Sequence, residues 1–255
     1  MTLKLFGCVC GHLDSAAASM GLAGGAADRV RAPMPFYVID HPKGLALFDC
    51  GLHEGMLDPQ ERYRLRLGAQ GMNVELTPDA TPTARMQALD FDPAKVAFVV
   101  LSHLHFDHAG GLHQFPNATV VVQKREWEAG FDDELAARYG LPKVYFDLGH
   151  KVKTIEGEHD LFGDGSVTCL PSHGHTPGHQ SLRVRGEGSD HILTADACYF
   201  CDVVRSRTFP AFADAGAMNR SLDALLGLME PETVMVFGHD PDQWGESPVL
   251  ATTRG

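Results

Sequence analysis

The sequence contains no apolar run near the roughly 18 residues that a membrane-crossing helix needs, so no membrane span is expected. It is also short of basic residues. Lys and Arg number 21 against 33 Asp and Glu, a formal net charge of −12. So acidic a surface repels nucleic acid and anionic lipid, which points the search for partners to neutral or weakly charged small molecules. Cysteine is sparse and scattered, at Cys8, Cys10, Cys50, Cys169, Cys198 and Cys201, which is not the pattern of a disulfide framework. Leu5-Phe6-Gly7-Cys8 faintly resembles a lipoprotein cleavage site. The apolar residues before it are too few for a signal segment, so it is expected to be a first β-strand in a cytoplasmic protein. What remains is ordinary globular material, 44% hydrophobic and 21% charged over 255 residues, enough to bury a sizeable core.

Phe36–Ile39 and Leu45–Phe48 are apolar runs parted by His41-Pro42-Lys43-Gly44, the signature of a β-hairpin. Thr81 to Leu89 has helical character with Thr81 and Thr83 as candidate caps. Val96 to Leu101 and Ala118 to Gln123 are short continuous apolar runs that suit buried strands, and Lys124 to Ala129 reads as a short helix. In the second half, strands are expected at Val167–Leu170, Ser181–Val184, His191–Thr194 and Val234–Phe237, with a turn at Gly186-Glu187-Gly188-Ser189. Asp214 to Met229 places Met218, Leu222, Leu225, Leu226 and Met229 at helical spacing. Strands followed by helices, twice over, predict two packed sheets with helices outside, an α/β class. No linker-like break divides the chain, so residues 1–255 are expected to form a single domain. Residues 11–33, rich in Ala and Gly, are expected to form a long loop.

The chemistry concentrates in Ser102-His103-Leu104-His105-Phe106-Asp107-His108-Ala109-Gly110-Gly111. Three histidines and an aspartate fall within six residues, directly after a buried strand. Neutral imidazole and carboxylate are donors that suit zinc and its neighbours. A polar surface loop with chance histidines is the competing reading, and a single His would favour it. Three further candidates follow near predicted strand ends: His175 in Gly174-His175-Thr176-Pro177-Gly178-His179, Asp196 in Thr194-Ala195-Asp196-Ala197, and His239 in Phe237-Gly238-His239-Asp240. Alone, each reads as a cap or a hydrogen-bonded turn. Their recurrence at strand ends matters because open α/β sites gather residues there.

His103-Leu104-His105-Phe106-Asp107-His108 together with those three sites resembles the metallo-β-lactamase superfamily from about Phe36 to Asp240. The resemblance implies a four-layer αββα sandwich with a dinuclear metal site at the edge between the two sheets. It implies that His103, His105 and His175 hold one ion, Asp107, His108 and His239 the other, and that Asp196 bridges them. Asp49 in Phe48-Asp49-Cys50-Gly51 matches the family's buried supporting aspartate. His105 stands where di-iron flavoprotein members carry Glu, and Asp196 where the commonest true β-lactamases carry Cys. A second-type glyoxalase would add a helical C-terminal domain, whereas this chain ends soon after His239. His175-Thr176-Pro177-Gly178-His179-Gln180-Ser181-Leu182, Asp196-Ala197-Cys198-Tyr199 and Phe237-Gly238-His239-Asp240 are similar to the N-acyl homoserine lactone lactonases.

The resemblance therefore implies a hydrolase that opens acyl homoserine lactones and silences quorum signals. Two divalent ions are implied, zinc first, with cobalt, manganese or iron as alternatives; a homodimer is implied too. A hydroxide bridging two metals would attack the lactone carbonyl. Tyr199 would steady the oxyanion and Asp107 would carry a proton to the departing ring oxygen. Tyr199 also reads as a plain core aromatic. The alternatives on the same site are hydrolysis of another lactone, a thioester or a phosphotriester, or a mononuclear iron persulfide dioxygenase. Cys198 and Cys201 form a C-x-x-C outside any redox context and read as small buried side chains. His173 and His179 are expected to support the site or form turns. Met20, Met34, Phe36 and Phe209 to Phe212 are candidates for an acyl-chain pocket, with core packing as their other reading.

Overall fold

The computed structural model describes residues 3–23, 27–58, 60, 73–186, 189–244 and 249–251. In chain order the elements begin with β1 (Lys4–Ala16), β2 (Arg29–His41), β3 (Gly44–Phe48) and β4 (Asn73–Glu75). Helix α1 (Pro82–Ala88), β5 (Val96–Val100), α2 (Phe106–Ala109), β6 (Thr119–Gln123), α3 (Lys124–Phe131), α4 (Asp133–Tyr139) and β7 (Lys151–Ile155) follow. The remainder comprises β8 (His159–Asp160), β9 (Val167–Pro171), β10 (Gln180–Gly186), β11 (Ser189–Leu193), α5 (Val203–Ser206), α6 (Ala215–Gly227), β12 (Thr233–Val236), α7 (Pro241–Trp244) and β13 (Val249–Ala251). One sheet runs β13-β1-β2-β3-β5-β6-β7 with β4 paired to β1, and the other runs β12-β11-β10-β9-β8.

The period-2 alternation of side chains sorts the core into layers. Leu5, Val9, Tyr37, Ile39, Ala46 and Phe48 point from the first sheet to Val167, Cys169, Leu182, Val184, Leu193 and Val236 of the second. Their alternate neighbours Cys8, Cys10, Phe36, Val38 and Leu47 pack on the other face with Met86 of α1. Behind the second sheet, Leu170, Ile192 and Met235 meet Leu225 of α6. Helix, sheet, sheet, helix is the resulting order. No described helix is long and apolar enough to cross a membrane.

The hairpin forms as expected, closing at His41 and Gly44. Helix α6 is capped by Asp214, whose Oδ1 accepts the Ala217 N–H at 2.9 Å. Thr81 precedes α1 but gives its hydroxyl to the Pro78 carbonyl instead of capping. Much of the expected loop at residues 11–33 is strand. β1 runs on to Ala16 and β2 starts at Arg29, paired from Leu13 with Ala32 to Ala16 with Arg29. Small side chains there carry little strand propensity, but a ladder to β2 on one side and β4 on the other overrides it. The register shift between Val9 and His12 is where Gly11 adopts φ 79°. The turn at 186–189 has its two central residues outside the described residues.

Candidate metal centre

β3, β5 and β6 run parallel in the first sheet, and β11 and β12 run parallel in the second. The residues that follow their C-terminal ends therefore gather at one edge of the sandwich. Asp49 follows β3, the His103–His108 segment follows β5, His175 follows β9, Asp196 follows β11 and His239 follows β12. All seven candidate ligands meet there, in two groups whose donor atoms each lie within 4.8 Å of one another.

In the first group, His105 Nδ1 lies 2.9 Å from His103 Nε2 and 3.0 Å from His175 Nε2. Asp196 Oδ2 lies 3.0 Å from His175 Nε2 and 3.5 Å from His103 Nε2. In the second, Asp107 Oδ2 lies 3.5 Å from His108 Nε2 and 3.8 Å from His239 Nε2. The other Asp196 oxygen, Oδ1, lies 3.1 Å from His108 Nε2 and 3.0 Å from His239 Nε2. One carboxylate thus faces both groups, an oxygen to each.

The outward ring nitrogens fix the tautomers. A carbonyl only accepts, so His105 Nε2 donates to the Tyr139 carbonyl at 2.6 Å and His239 Nδ1 donates to the Pro33 carbonyl at 2.8 Å. His108 Nδ1 donates to Asp49 Oδ2 at 2.7 Å. Ser102 Oγ donates to the same Asp49 oxygen at 2.8 Å, which leaves it to accept from His103 Nδ1 at 2.9 Å. In the neutral ring of each of these four histidines, the inward nitrogen is therefore the one that carries the lone pair. His179, fully buried and held neutral by that burial, accepts the Asp196 N–H on Nε2 at 3.1 Å. That bond braces the backbone from which the Asp196 carboxylate projects.

Such an arrangement calls for cations. Asp49, Asp107 and Asp196 are 1%, 7% and 2% exposed, and histidines supply all their ion-pair contacts among the described residues. His108 Nε2 and Asp196 Oδ1 are buried without a hydrogen-bond partner, two acceptors face to face that only a proton or a metal ion can reconcile. Burial opposes a charge on His108, but Asp196, Asp107 and Asp49 overcome it and push its pKa well above the ordinary 6.5. Burial likewise opposes ionisation of Asp196, yet His108, His239, His175 and His103 together hold it well below 3.8. Imidazole and carboxylate donors in two compact sets fit two divalent ions.

Backbone strain collects at the same edge. Asp49 and Ala195 adopt φ 58° and 44° without being glycine, at a cost of order 1–3 kcal/mol each. Gly238 lets the His239 loop touch the Asp196 loop, since a Cβ there would stand 2.5 Å from the Ala195 carbonyl.

Tyr199 is 9% exposed, with its hydroxyl 3.4 Å from His175 Nδ1 and its ring 5.0 Å from that of His239. Burial, then the charges of Asp196 and Asp107, push its pKa well above 10, so it stays a donor. Met20, Phe209 and Pro210 line a narrow slot beside Asp196 and Tyr199, together with Val203, Thr208 and Met218. Met34 and Phe36, by contrast, are fully buried among core side chains. Phe212 is 38% exposed and sets its ring edge-on to His105 and His175, at 5.9 and 5.1 Å. Cys198 is buried as expected but Cys201 is exposed, and both are free thiols. Sequence reasoning left Ser102 and Glu126 without roles. Ser102 sat in plain view beside the motif, whereas Glu126 carried no local signal.

The family model for the metallo-beta-lactamase superfamily matches residues 35–239. A relative named N-acyl homoserine lactonase AttM, from Rhizobium radiobacter, is 38% identical over 221 residues, covering 83% of each chain. N-acyl homoserine lactonase AiiA of Bacillus thuringiensis subsp. kurstaki is 28% identical over 213 residues, covering 83% of this chain and 82% of its own. Among solved structures, an N-acyl homoserine lactone hydrolase with N-hexanoyl-L-homoserine bound at its catalytic metal centre superimposes with a TM-score of 0.83. It shares 27% identity and covers 95% of this chain and 96% of that one. With every donor segment inside the matched span, which ends on the last donor at His239, this chain belongs to the metallo-beta-lactamase superfamily.

Proposed function

We propose that the protein is a dinuclear metal-dependent lactonase that opens the ring of N-acyl homoserine lactones. The observation that carries the reading is the pair of donor groups sharing Asp196, joined to a family whose similar members bear that activity by name. His103, His105 and His175 would hold one ion and Asp107, His108 and His239 the other, with Asp196 offering an oxygen to each group. Zinc is the first choice of metal because every donor is an imidazole nitrogen or a carboxylate oxygen. When bound, two such ions supply a hydroxide near neutral pH and a Lewis acid for the carbonyl oxygen.

The chain's own residues do the rest. Tyr199, kept protonated by burial and by Asp196, donates to the oxygen on which charge develops. Asp107 shares the proton that must reach the departing ring oxygen, so that the C–O bond breaks to an alcohol rather than an alkoxide. Met20, Phe209 and Met218 close tightly on one another beside Tyr199, so an acyl tail would enter there only by parting these flexible apolar side chains. Phe212 stands over the three-histidine group, where a bound lactone would meet it.

Proton release on incubation with an acyl homoserine lactone, run beside a thioester and a phosphotriester, tests the substrate class. Ring opening faster than either alternative supports the reading. Preference for the thioester or the phosphotriester moves the activity elsewhere on the same site.

A further inference from the structure

Glu126 lies in the first turn of α3, outside both donor groups, and is fully buried. It makes no ion pair with Lys or Arg among the described residues, and burial pushes its carboxyl up to about 7. Burying such a group is costly unless its hydrogen bonds accomplish something an apolar side chain cannot. Its two oxygens go to different loops. Oε1 accepts the N–H of Leu104, the residue between His103 and His105, at 3.2 Å. Oε2 accepts the N–H of Gly178, three residues past His175, at 2.8 Å. The second loop presses directly on the helix, because a Cβ on Gly178 would collide with the Glu126 backbone nitrogen.

We propose that Glu126 is a positioning residue for the three-histidine group: one carboxylate ties the His103–His105 loop to the His175 loop and fixes that donor set before metal arrives. The proposal rests on the two-metal reading above. Its content is an asymmetry. Asp107, His108 and His239 reach the site by other supports, Asp49 for His108 and the Pro33 carbonyl for His239. A defect at Glu126 therefore falls on one ion and spares the other.

The test is chelator competition with Zn²⁺ on wild type, Glu126→Gln and His105→Ala, the last marking which binding step belongs to the three-histidine group. Glutamine keeps the shape but turns an NH₂ donor on one of the two N–H groups. Glu126→Gln is expected to weaken that marked step about 10- to 100-fold and leave the other within about 3-fold. Equal weakening of both steps, or of neither, overturns the proposal. Absence of two binding steps in wild type overturns the two-metal reading instead. Should Glu126→Gln not fold, hydrogen exchange on metal-free wild type decides. Protection of the Leu104 and Gly178 amides without metal is expected, and free exchange of either overturns the strut.

Discussion

At the scale of single residues, two side chains near the donor groups separate chemistry from support. Tyr199 makes only a long contact to His175, at the Nδ1 atom and not at the Nε2 atom that faces the donor group. Tyr199→Phe is expected to lower kcat about 10- to 100-fold, as loss of an oxyanion donor does, with metal content unchanged by elemental analysis. Unchanged turnover would remove it from the mechanism. Asp49 acts the other way, because its Oδ2 serves His108 and Ser102 while its Oδ1 accepts the Ser102 N–H at 2.7 Å. Asparagine tolerates the same positive φ but turns a donor on one of those donors. Asp49→Asn should therefore cost about 10- to 100-fold in metal affinity, measured by chelator competition, before any effect on bound-state chemistry. The ligands were legible because four of them lie within six residues and the rest follow strand ends. Glu126 was not, since its partners are 22 and 52 residues away and nothing in Lys124-Arg125-Glu126 marks the carboxylate as buried.

At the scale of elements, the second sheet has its own charged clamp. Arg183 of β10 donates through Nε to Asp190 of β11 at 2.9 Å, and Thr233 of β12 donates to the same carboxyl at 2.8 Å. The Arg183 and Asp190 side chains are 8% and 15% exposed. Arg183 holds the Asp190 carboxyl below its ordinary 3.8. A carboxyl depressed in the folded state stabilises above its unfolded pKa and loses that contribution as pH falls through the folded one. Asp190→Asn should cost about 2 kcal/mol in urea unfolding near neutral pH, and the gap should close as the pH drops below about 3.8. A gap independent of pH would assign the loss to packing. Most strands were readable as short apolar runs. The end of β1 and the start of β2 were not, because they are held by pairing with each other and by the pairing of β1 with β4, which lies well along the chain. The stretch Ser15-Ala16-Ala17-Ala18 shows the difficulty, since small side chains state no preference that would tell a strand end from a loop.

At the scale of the whole molecule, the sandwich brings two half-sites together. The first sheet supplies Asp49 and the His103–His108 segment, and the second supplies His175, Asp196 and His239. Gln180 joins them, its N–H donating to the Ser102 carbonyl at 2.9 Å and its Nε2 to the Leu101 carbonyl at 2.8 Å. Layer order was legible from the strand and helix alternation, but which loops cross this seam was not, because that depends on contacts between distant segments. An ion that binds only the folded chain stabilises it by mass action, so metal and sandwich support each other. The measurement that bears most directly on two ions acting together is a titration of chelated enzyme with Zn²⁺, following ring opening of an acyl homoserine lactone against equivalents added. Activity that rises chiefly with the second equivalent, and stays absent in a His103→Ala variant, is the predicted result. Full activity at one equivalent, or in metal-free enzyme, would contradict the account.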